Sequence, residues 1–288
     1  MTLDDWLRRA EAQLAEGPHP DRARRDAETL LLHHIGKNRA WLMAHGEEEF
    51  AGCPAVSYAA ILKRRLRGEP IQYITGETEF YGLPFRVTPD VLIPRQETEH
   101  LVEKVIALCG GLERPRIVDV GTGSGAIAVT LAHHLPHAHI TATDISAAAL
   151  GIARENAERN GVAGRMEFAQ GDLLAPVEGE RFDVVASNPP YVPEEDRASL
   201  DVEVREYEPG QALFAGLGGM DLYRRLIPQA ADALAPGGHL VIEIGYGQRR
   251  AVEALLSAAG YEEIEFVPDL QGIARIAIAR SPATRTGS

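Results

Sequence analysis

Two short stretches of this chain hold residue types at a spacing that can do chemistry. In the first, Val118-Asp119-Val120-Gly121-Thr122-Gly123-Ser124-Gly125-Ala126-Ile127, an apolar run turns through three glycines into a helical pattern. Glycine stands where φ is positive or where a ligand must approach the backbone with no Cβ in the way. The helix that follows then offers free N–H groups to an anion. Gly121, Gly123 and Ala126 also satisfy the degenerate G-x-G-x-x-G/A dinucleotide pattern, and Asp144 ends the next predicted strand, where it suits a nicotinamide ribose or an adenosine ribose equally. The second stretch is Val184-Val185-Ala186-Ser187-Asn188-Pro189-Pro190-Tyr191. Two prolines after an asparagine at a strand end stop the ladder and stiffen the turn, and neither has an N–H to give. What remains are acceptors, the Asn188 side-chain carbonyl and the Pro189 main-chain carbonyl, beside the aromatic face of Tyr191. That set suits a planar amino or amide NH2 group held in place for attack.

The elements that must position these residues are legible as alternating periods. From Arg95 onward the predicted order is a helix over 97–109, strand 116–120, helix 124–135, strand 139–144, helix 146–160, strand 166–170, strand 182–188, helix 221–235, strand 239–245, helix 248–259, and two final strands, EEIEFVP and ARIAIAR. Strands separated by single helices imply parallel pairing through right-handed crossovers, hence a doubly wound α/β sheet. The last two strands, joined only by Asp269-Leu270-Gln271-Gly272, are too close for a crossover and predict an antiparallel hairpin. The first seventy residues instead repeat a helical pattern, with Thr2 before the first helix, Asp21 capping a second over 22–35 that turns Leu30, Leu31 and Leu32 inward, and Ser57 opening a third. Residues 71–94 change character, with aromatic and β-branched residues around Gly76, Gly82 and Pro89. The domain plan is therefore a helical domain over 1–70, a hairpin linker over 71–94, a catalytic-type α/β domain over 95–280 and a loose tail over 281–288.

Composition narrows the function classes. The 288 residues are 45% hydrophobic and 25% charged, the balance of an ordinary globular chain with no need of a metal or disulfide staple. Cys53 and Cys109 stand alone, no signal-type apolar region opens the chain, and no run approaches a membrane span, so a cytoplasmic protein is expected. A net charge of −13 argues against a surface that grips nucleic acid throughout, because neutralising phosphates needs clustered Lys and Arg.

At the glycine loop and Asn188-Pro189-Pro190-Tyr191 the chain resembles class I S-adenosylmethionine-dependent methyltransferases that modify a planar nitrogen. Further segments narrow this: Pro70-Ile71-Gln72-Tyr73-Ile74 with Gly76, then Phe80-Tyr81-Gly82-Leu83, and Val91-Leu92-Ile93-Pro94-Arg95-Gln96-Glu97-Thr98-Glu99. These are similar to the bacterial peptide-chain release factor glutamine methyltransferases across essentially the whole chain. One departure is Gln96, where the family usually has proline; the helix entry is less rigid but keeps Arg95, Glu97 and Thr98.

The resemblance implies a doubly wound, mostly parallel seven-stranded sheet with an antiparallel C-terminal hairpin, preceded in sequence by a small helical substrate-recognition domain. It also implies methyl transfer from S-adenosyl-L-methionine to the side-chain amide nitrogen of the glutamine in a Gly-Gly-Gln loop of class I release factors. Asn188, Pro189 and Tyr191 are then the expected catalytic residues, and with Pro190 the substrate contacts. For the cofactor it implies Gly121, Thr122, Gly123, Ser124 and Gly125 at the methionine end, Asp119 orienting that loop, and Asp144 on the ribose hydroxyls. Asp172 would meet the adenine amino group, Leu173 would lie near the ring, and Asn188 would stand at the border of cofactor and substrate. No metal, membrane or direct nucleic-acid partner is expected.

The rival readings are a DNA adenine-N6 or rRNA guanine-N2 amino methyltransferase, which shares the Asn-Pro-Pro-Tyr chemistry, a noncatalytic cofactor sensor, and a nicotinamide dehydrogenase, which leaves that motif unused. Weaker features read as ordinary. His33-His34, His133-His134, His137 and His139 lack metal-site spacing. The basic clusters Arg22-x-Arg24-Arg25 and Lys63-Arg64-Arg65-x-Arg67 read as solvated helix faces, or else as a docking surface. Phe80, Tyr81 and Phe85 read as linker core, and Arg95 with Glu97 either positions the substrate loop or forms a pair.

Overall fold

The computed structural model describes residues 1–49 and 55–283, so Cys53 and the tail residues 284–288 lie outside the described residues. The chain divides into two compact units, one of Met1–Glu77 with Leu200–Tyr207, the other of Thr78–Ser199 with the chain from Glu208 onward.

The first unit is helical: α1 (Leu3–Leu14), α2 (Ala23–Ile35), α3 (Arg39–His45), α4 (Ala55–Leu66) and α5 (Ile71–Thr75). α1 begins as predicted, with Thr2 and Asp5 forming a reciprocal capping box that satisfies two orphan donors of the first turn. α2 begins differently: Pro20–Arg22 form a single 3-10 turn, and no side chain caps the helix, so Asp21 does not serve as a cap. Leu30 and Leu31 are fully buried among Leu3, Leu7, Tyr58 and Leu62, whereas Leu32 is only half-buried. Ile71–Thr75 are helical rather than part of a hairpin, and Gly76 ends the turn at φ 78°. Arg65 departs from its expected solvated face. It is 3% exposed, donating to Asp26 Oδ2 at 2.6 Å and to Glu203. A guanidinium taken out of water is held only by full pairing, and sequence spacing could not show a partner 138 positions away.

The second unit begins with a two-stranded hairpin, β1 (Glu77–Phe80, its first residue at the unit boundary) and β2 (Leu83–Arg86). A 3-10 turn over Gln96–Thr98 leads into α6 (Glu99–Cys109). Then follow β3 (Arg116–Val120), α7 (Ala126–His134), β4 (His139–Asp144), α8 (Ala147–Arg159), β5 (Met166–Gln170) and β6 (Phe182–Ser187). α9 (Val202–Tyr207) belongs to the first unit. α10 (Asp221–Ala233), β7 (Leu234–Glu243), α11 (Arg249–Ala258), β8 (Glu262–Pro268) and β9 (Ala274–Arg280) complete the order.

The seven-stranded sheet runs β5-β4-β3-β6-β7-β9-β8. The first five strands pair in parallel and the last two antiparallel, as the alternation predicts. Strand β3 is buried at four of its five positions, because helices cover both faces of a parallel sheet. One apolar layer gathers Leu101, Val105, Leu131 and Ile140 with Phe80 and Phe85 of the hairpin, so those two rings belong to the core of the α/β unit. The other gathers Phe182, Leu226, Leu240 and Leu256.

Candidate active site

Chain order reverses across the sheet at β3 and β6, and a cavity of about 350 Å³ opens beyond the carboxyl ends of those strands. Ligands of open α/β sheets settle at such a switch point. Both predicted stretches reach it: Gly121, Thr122, Gly123 and Ser124 line the cavity together with Asp144, Asp172, Leu173, Asn188 and Pro190. Gly125, Asp119, Pro189 and Tyr191 are not among the lining residues.

The glycine loop is shaped by left-handed backbone. Gly121, Gly123 and Gly125 have φ of 71°, 55° and 82°, and a Cβ at Gly121 or Gly123 would meet open space rather than protein. Thr143 O accepts from Gly121 N and Thr122 N, each at 2.9 Å. Asp144 braces the loop from β4: its Oδ2 accepts from Gly123 N at 2.9 Å and its Oδ1 from Ser146 N at 2.8 Å. Each oxygen keeps lone-pair capacity for a ligand hydroxyl. Asp119 lies below the loop, fully buried, with Oδ2 accepting from Thr122 Oγ1 at 2.6 Å and from Ala128 N at 3.2 Å. Its Oδ1 is buried without a hydrogen-bond partner. Burial pushes the carboxyl up to about 7, against the pull of those two hydrogen bonds and with the help of the nearby Asp144 charge.

Asp172 pairs with Arg225, which also lines the cavity. Leu173 holds φ at 52°, an uncommon left-handed conformation for a branched side chain, and its carbonyl accepts from Thr143 Oγ1 at 3.0 Å. Arg95 lines the cavity as well. It pairs with the buried carboxylate of Glu208 at 2.6 Å, not with Glu97, which settles what the sequence left open about its partner.

The Asn188 segment is anchored by Thr98, to which sequence reasoning assigned no role, and by Glu243 and Gln248, which it did not single out. Asn188 Nδ2 donates to Thr98 Oγ1 at 3.0 Å, and Thr98 Oγ1 donates to Glu243 Oε2 at 2.6 Å. Tyr191 Oη donates to Glu243 Oε1 at 3.1 Å. Glu243 is 2% exposed at the end of β7; burial raises its carboxyl above the usual range, while the Thr98 and Tyr191 hydrogen bonds and the Arg275 charge work against that. Burial and the adjacent carboxylate push the Tyr191 phenol well up, so it stays protonated and a donor. Gln248 ties the same segment from another side, donating from Nε2 to Tyr191 O at 2.9 Å while its Oε1 accepts from Gly245 N at 2.8 Å. The signal for Glu243 was present in the sequence: an acidic residue inside the apolar run HLVIEIG is tolerated only with partners.

Among the described residues, His19, Asp201 and Glu203 of the first unit bring ligand-type atoms within 4.8 Å of one another. Glu203 there is already engaged by Arg65 and Arg22, whose positive charges oppose a cation, so the cluster reads as ion pairing. No helix among the described residues is long and apolar enough to cross a membrane.

Comparison with known proteins agrees with this geometry. The family model for the methyltransferase small domain matches residues 97–204, and that for the PrmC N-terminal domain matches residues 5–76. A protein of Moorella thermoacetica named release factor glutamine methyltransferase is 46% identical over 280 residues, 97% of this chain and 98% of that one. One of the same name from Koribacter versatilis is 43% identical, covering 99% of each. Among solved structures, the hMettl16 catalytic domain in complex with MAT2A 3'UTR hairpin 1 superposes with a TM-score of 0.57 at 17% identity, over 81% of this chain and 82% of that one. The T. thermophilus 16S rRNA N2 G1207 methyltransferase gives 0.54 at 19%, over 71% and 49% respectively. Likenesses at such low identity show a shared methyltransferase fold.

Proposed function

The chain belongs to the release factor glutamine methyltransferase family, and from that membership we propose that it moves a methyl group from S-adenosyl-L-methionine to the side-chain amide nitrogen, N5, of the glutamine in the Gly-Gly-Gln loop of class I peptide chain release factors. The observation that carries the reading is the convergence of the Gly121–Ser124 loop and Asn188 on one cavity at the switch point. A substrate of that class implies a cytoplasmic site of action, which is part of the same proposal.

The residues present fit the cofactor. Gly121 and Gly123 leave open space where any other residue would put a side chain, and Asp144 offers a carboxylate with spare acceptor capacity beside them. In this assignment the glycine loop takes the methionine end, Asp144 the ribose hydroxyls, Asp172 the adenine amino group, and Leu173 an aliphatic contact with the ring. Asp119 holds the loop through Thr122 and Ala128, and Gly125 sets the helix entry. When bound, the cofactor would supply an electrophilic methyl on a sulfonium: the S–C bond breaks as the N–C bond forms, S-adenosyl-L-homocysteine is the leaving group, and the methylated nitrogen then loses one proton to water.

What the chain itself must do is orient a poor nucleophile. An amide nitrogen has its lone pair delocalised, and no base need take its proton before attack. Asn188 Oδ1 and the Pro189 carbonyl accept its two N–H bonds, fixing the direction of the nitrogen and favouring the positive charge that develops on it. Alignment of this kind supplies up to roughly 7–11 kcal/mol in the best intramolecular reactions. Pro190 stiffens the turn, and Tyr191 flanks the glutamine and helps exclude water.

The reading is tested by transfer of labelled methyl to purified class I release factor, beside a variant whose loop reads Gly-Gly-Ala and beside DNA and RNA. Label on the wild-type factor alone is the expected result. Label on nucleic acid alone would leave the fold and the cofactor assignment standing and remove the substrate.

A further inference from the structure

We propose that Thr98 and Glu243 are positioning residues for the methyl transfer: they determine which end of the Asn188 amide is offered to the substrate. The inference rests on the glutamine-methylation reading and adds two residues to it.

A side-chain amide is nearly symmetric in shape, and flipping it exchanges an acceptor for a donor. Asn188 accepts a substrate N–H only if its NH2 end is engaged elsewhere. Both Glu243 oxygens accept, Oε2 from Thr98 at 2.6 Å and Oε1 from Tyr191 at 3.1 Å, the pattern of a carboxylate. Thr98 has one hydroxyl proton, and it is committed to Glu243. Toward Asn188 the threonine oxygen therefore has only lone pairs to give, and it accepts a hydrogen bond from Nδ2 at 3.0 Å. In the flipped orientation Oδ1 would face an oxygen with no proton left for it. The carboxylate thus sets the threonine and the threonine sets the asparagine, leaving Oδ1 free of any hydrogen bond to the described residues and available to the substrate.

The placement of Thr98 supports the assignment. It stands at the N-terminal boundary of α6, where a threonine ordinarily caps the helix, yet its side chain makes no capping bond and is 4% exposed. The hydroxyl is spent on the Asn188–Glu243 link instead. Glu243 is joined to the segment a second time through Tyr191, so the carboxylate sets both residues that flank the two prolines.

Thr98→Val keeps the shape and removes the hydroxyl; Thr98→Ser keeps the hydroxyl; Glu243→Gln keeps the shape and replaces one acceptor by a donor. With release factor as substrate, kcat should fall at least tenfold in Thr98→Val and Glu243→Gln while the dissociation constant for S-adenosyl-L-methionine stays within about twofold, and Thr98→Ser should recover most of the rate. A second readout needs no substrate. In side-chain 15N spectra one Hδ2 of Asn188 should be protected from water exchange in the wild type and in Thr98→Ser, and unprotected in Thr98→Val. Unchanged kcat in Thr98→Val, equal loss of cofactor binding and rate, or Asn188 protection that persists in Thr98→Val would each overturn the proposal. Wild-type protein that fails to methylate the release factor would instead remove the functional reading, and the exchange measurement would still decide whether Thr98 holds Asn188.

Discussion

Asn188 and Asp144 line one cavity but are assigned different partners, the substrate amide and the cofactor, so removing each should disturb a different quantity. Asn188→Ala deletes an acceptor aimed at charge that develops during transfer, and kcat should fall by about 10²–10³ with cofactor affinity little changed. Asp144→Ala deletes the carboxylate that braces Gly123 N and Ser146 N. Affinity for the cofactor should weaken about a hundredfold or more, because hydrogen bonds to a charged group are worth about 1.5–3 kcal/mol each and the carboxylate is assigned two of them. Calorimetric titration beside steady-state kinetics separates the two. Asp119 makes a pH prediction. Its folded carboxyl is raised to about 7, above the ordinary value near 4, so the native state binds the proton more tightly than the unfolded chain. That stabilisation is complete below the unfolded value and fades as pH rises through about 7. The stability difference between wild type and Asp119→Asn should therefore shift in favour of the wild type as pH falls from 8 to 4, as read by urea unfolding across that range. A difference independent of pH would mean that Asp119 titrates normally.

At the scale of elements, the glycine-loop entry into α7 is a packing constraint as well as a conformational one. Gly125 has φ +82°, and a Cβ there would lie 3.1 Å from the Cβ of Ala153 on α8 and 3.3 Å from Val129 Cγ2. Gly125→Ala should cost about 1–3 kcal/mol through backbone strain alone, with some crowding of the α7–α8 contact added. Gly151 in α8 is the control: it has ordinary φ, and a Cβ there would find nothing within 4 Å, so Gly151→Ala should stabilise by about 0.5–1 kcal/mol. Chemical denaturation of both variants reads the opposite signs. The strands and long helices were legible because burial on both faces leaves unbroken apolar runs and amphipathic helices leave a period. Element starts were less so. α2 lacks the cap expected at Asp21 because Pro20 begins a 3-10 turn instead, and β7 starts at Leu234, ahead of the apolar run at His239, across a proline and two glycines.

At the scale of the whole molecule, the net charge of −13 opposes a phosphate backbone everywhere except at local basic patches. Four of the arginines in those patches already pair with carboxylates of the chain, Arg65 with Asp26 and Glu203, Arg64 with Glu69, Arg22 with Glu203 and Arg24 with Glu11. Binding to duplex DNA or to RNA should accordingly stay weaker than about 10⁻⁶ M even at low salt, where electrostatic affinity is greatest. A gel-shift or anisotropy titration at low ionic strength checks this, and tight binding would revive the nucleic-acid amino methyltransferase as the leading reading.

The sequence by itself determined the α/β alternation, the antiparallel close of the sheet, the glycine loop with Asp144, and the Asn188-Pro189-Pro190-Tyr191 segment. Each is written in local spacing, where residue type and period suffice. Only the tertiary structure decided that Thr98, Asn188, Tyr191 and Glu243 share one hydrogen-bonded chain, since Thr98 and Glu243 are 145 positions apart. It likewise decided that Leu200–Tyr207 join the helical unit, and that Arg65 is buried. The reason is the same in all three cases. A buried polar group is tolerable only when its partners arrive from elsewhere in the chain, and those partners are specified by how the strands and helices are ordered in space, which no local pattern encodes.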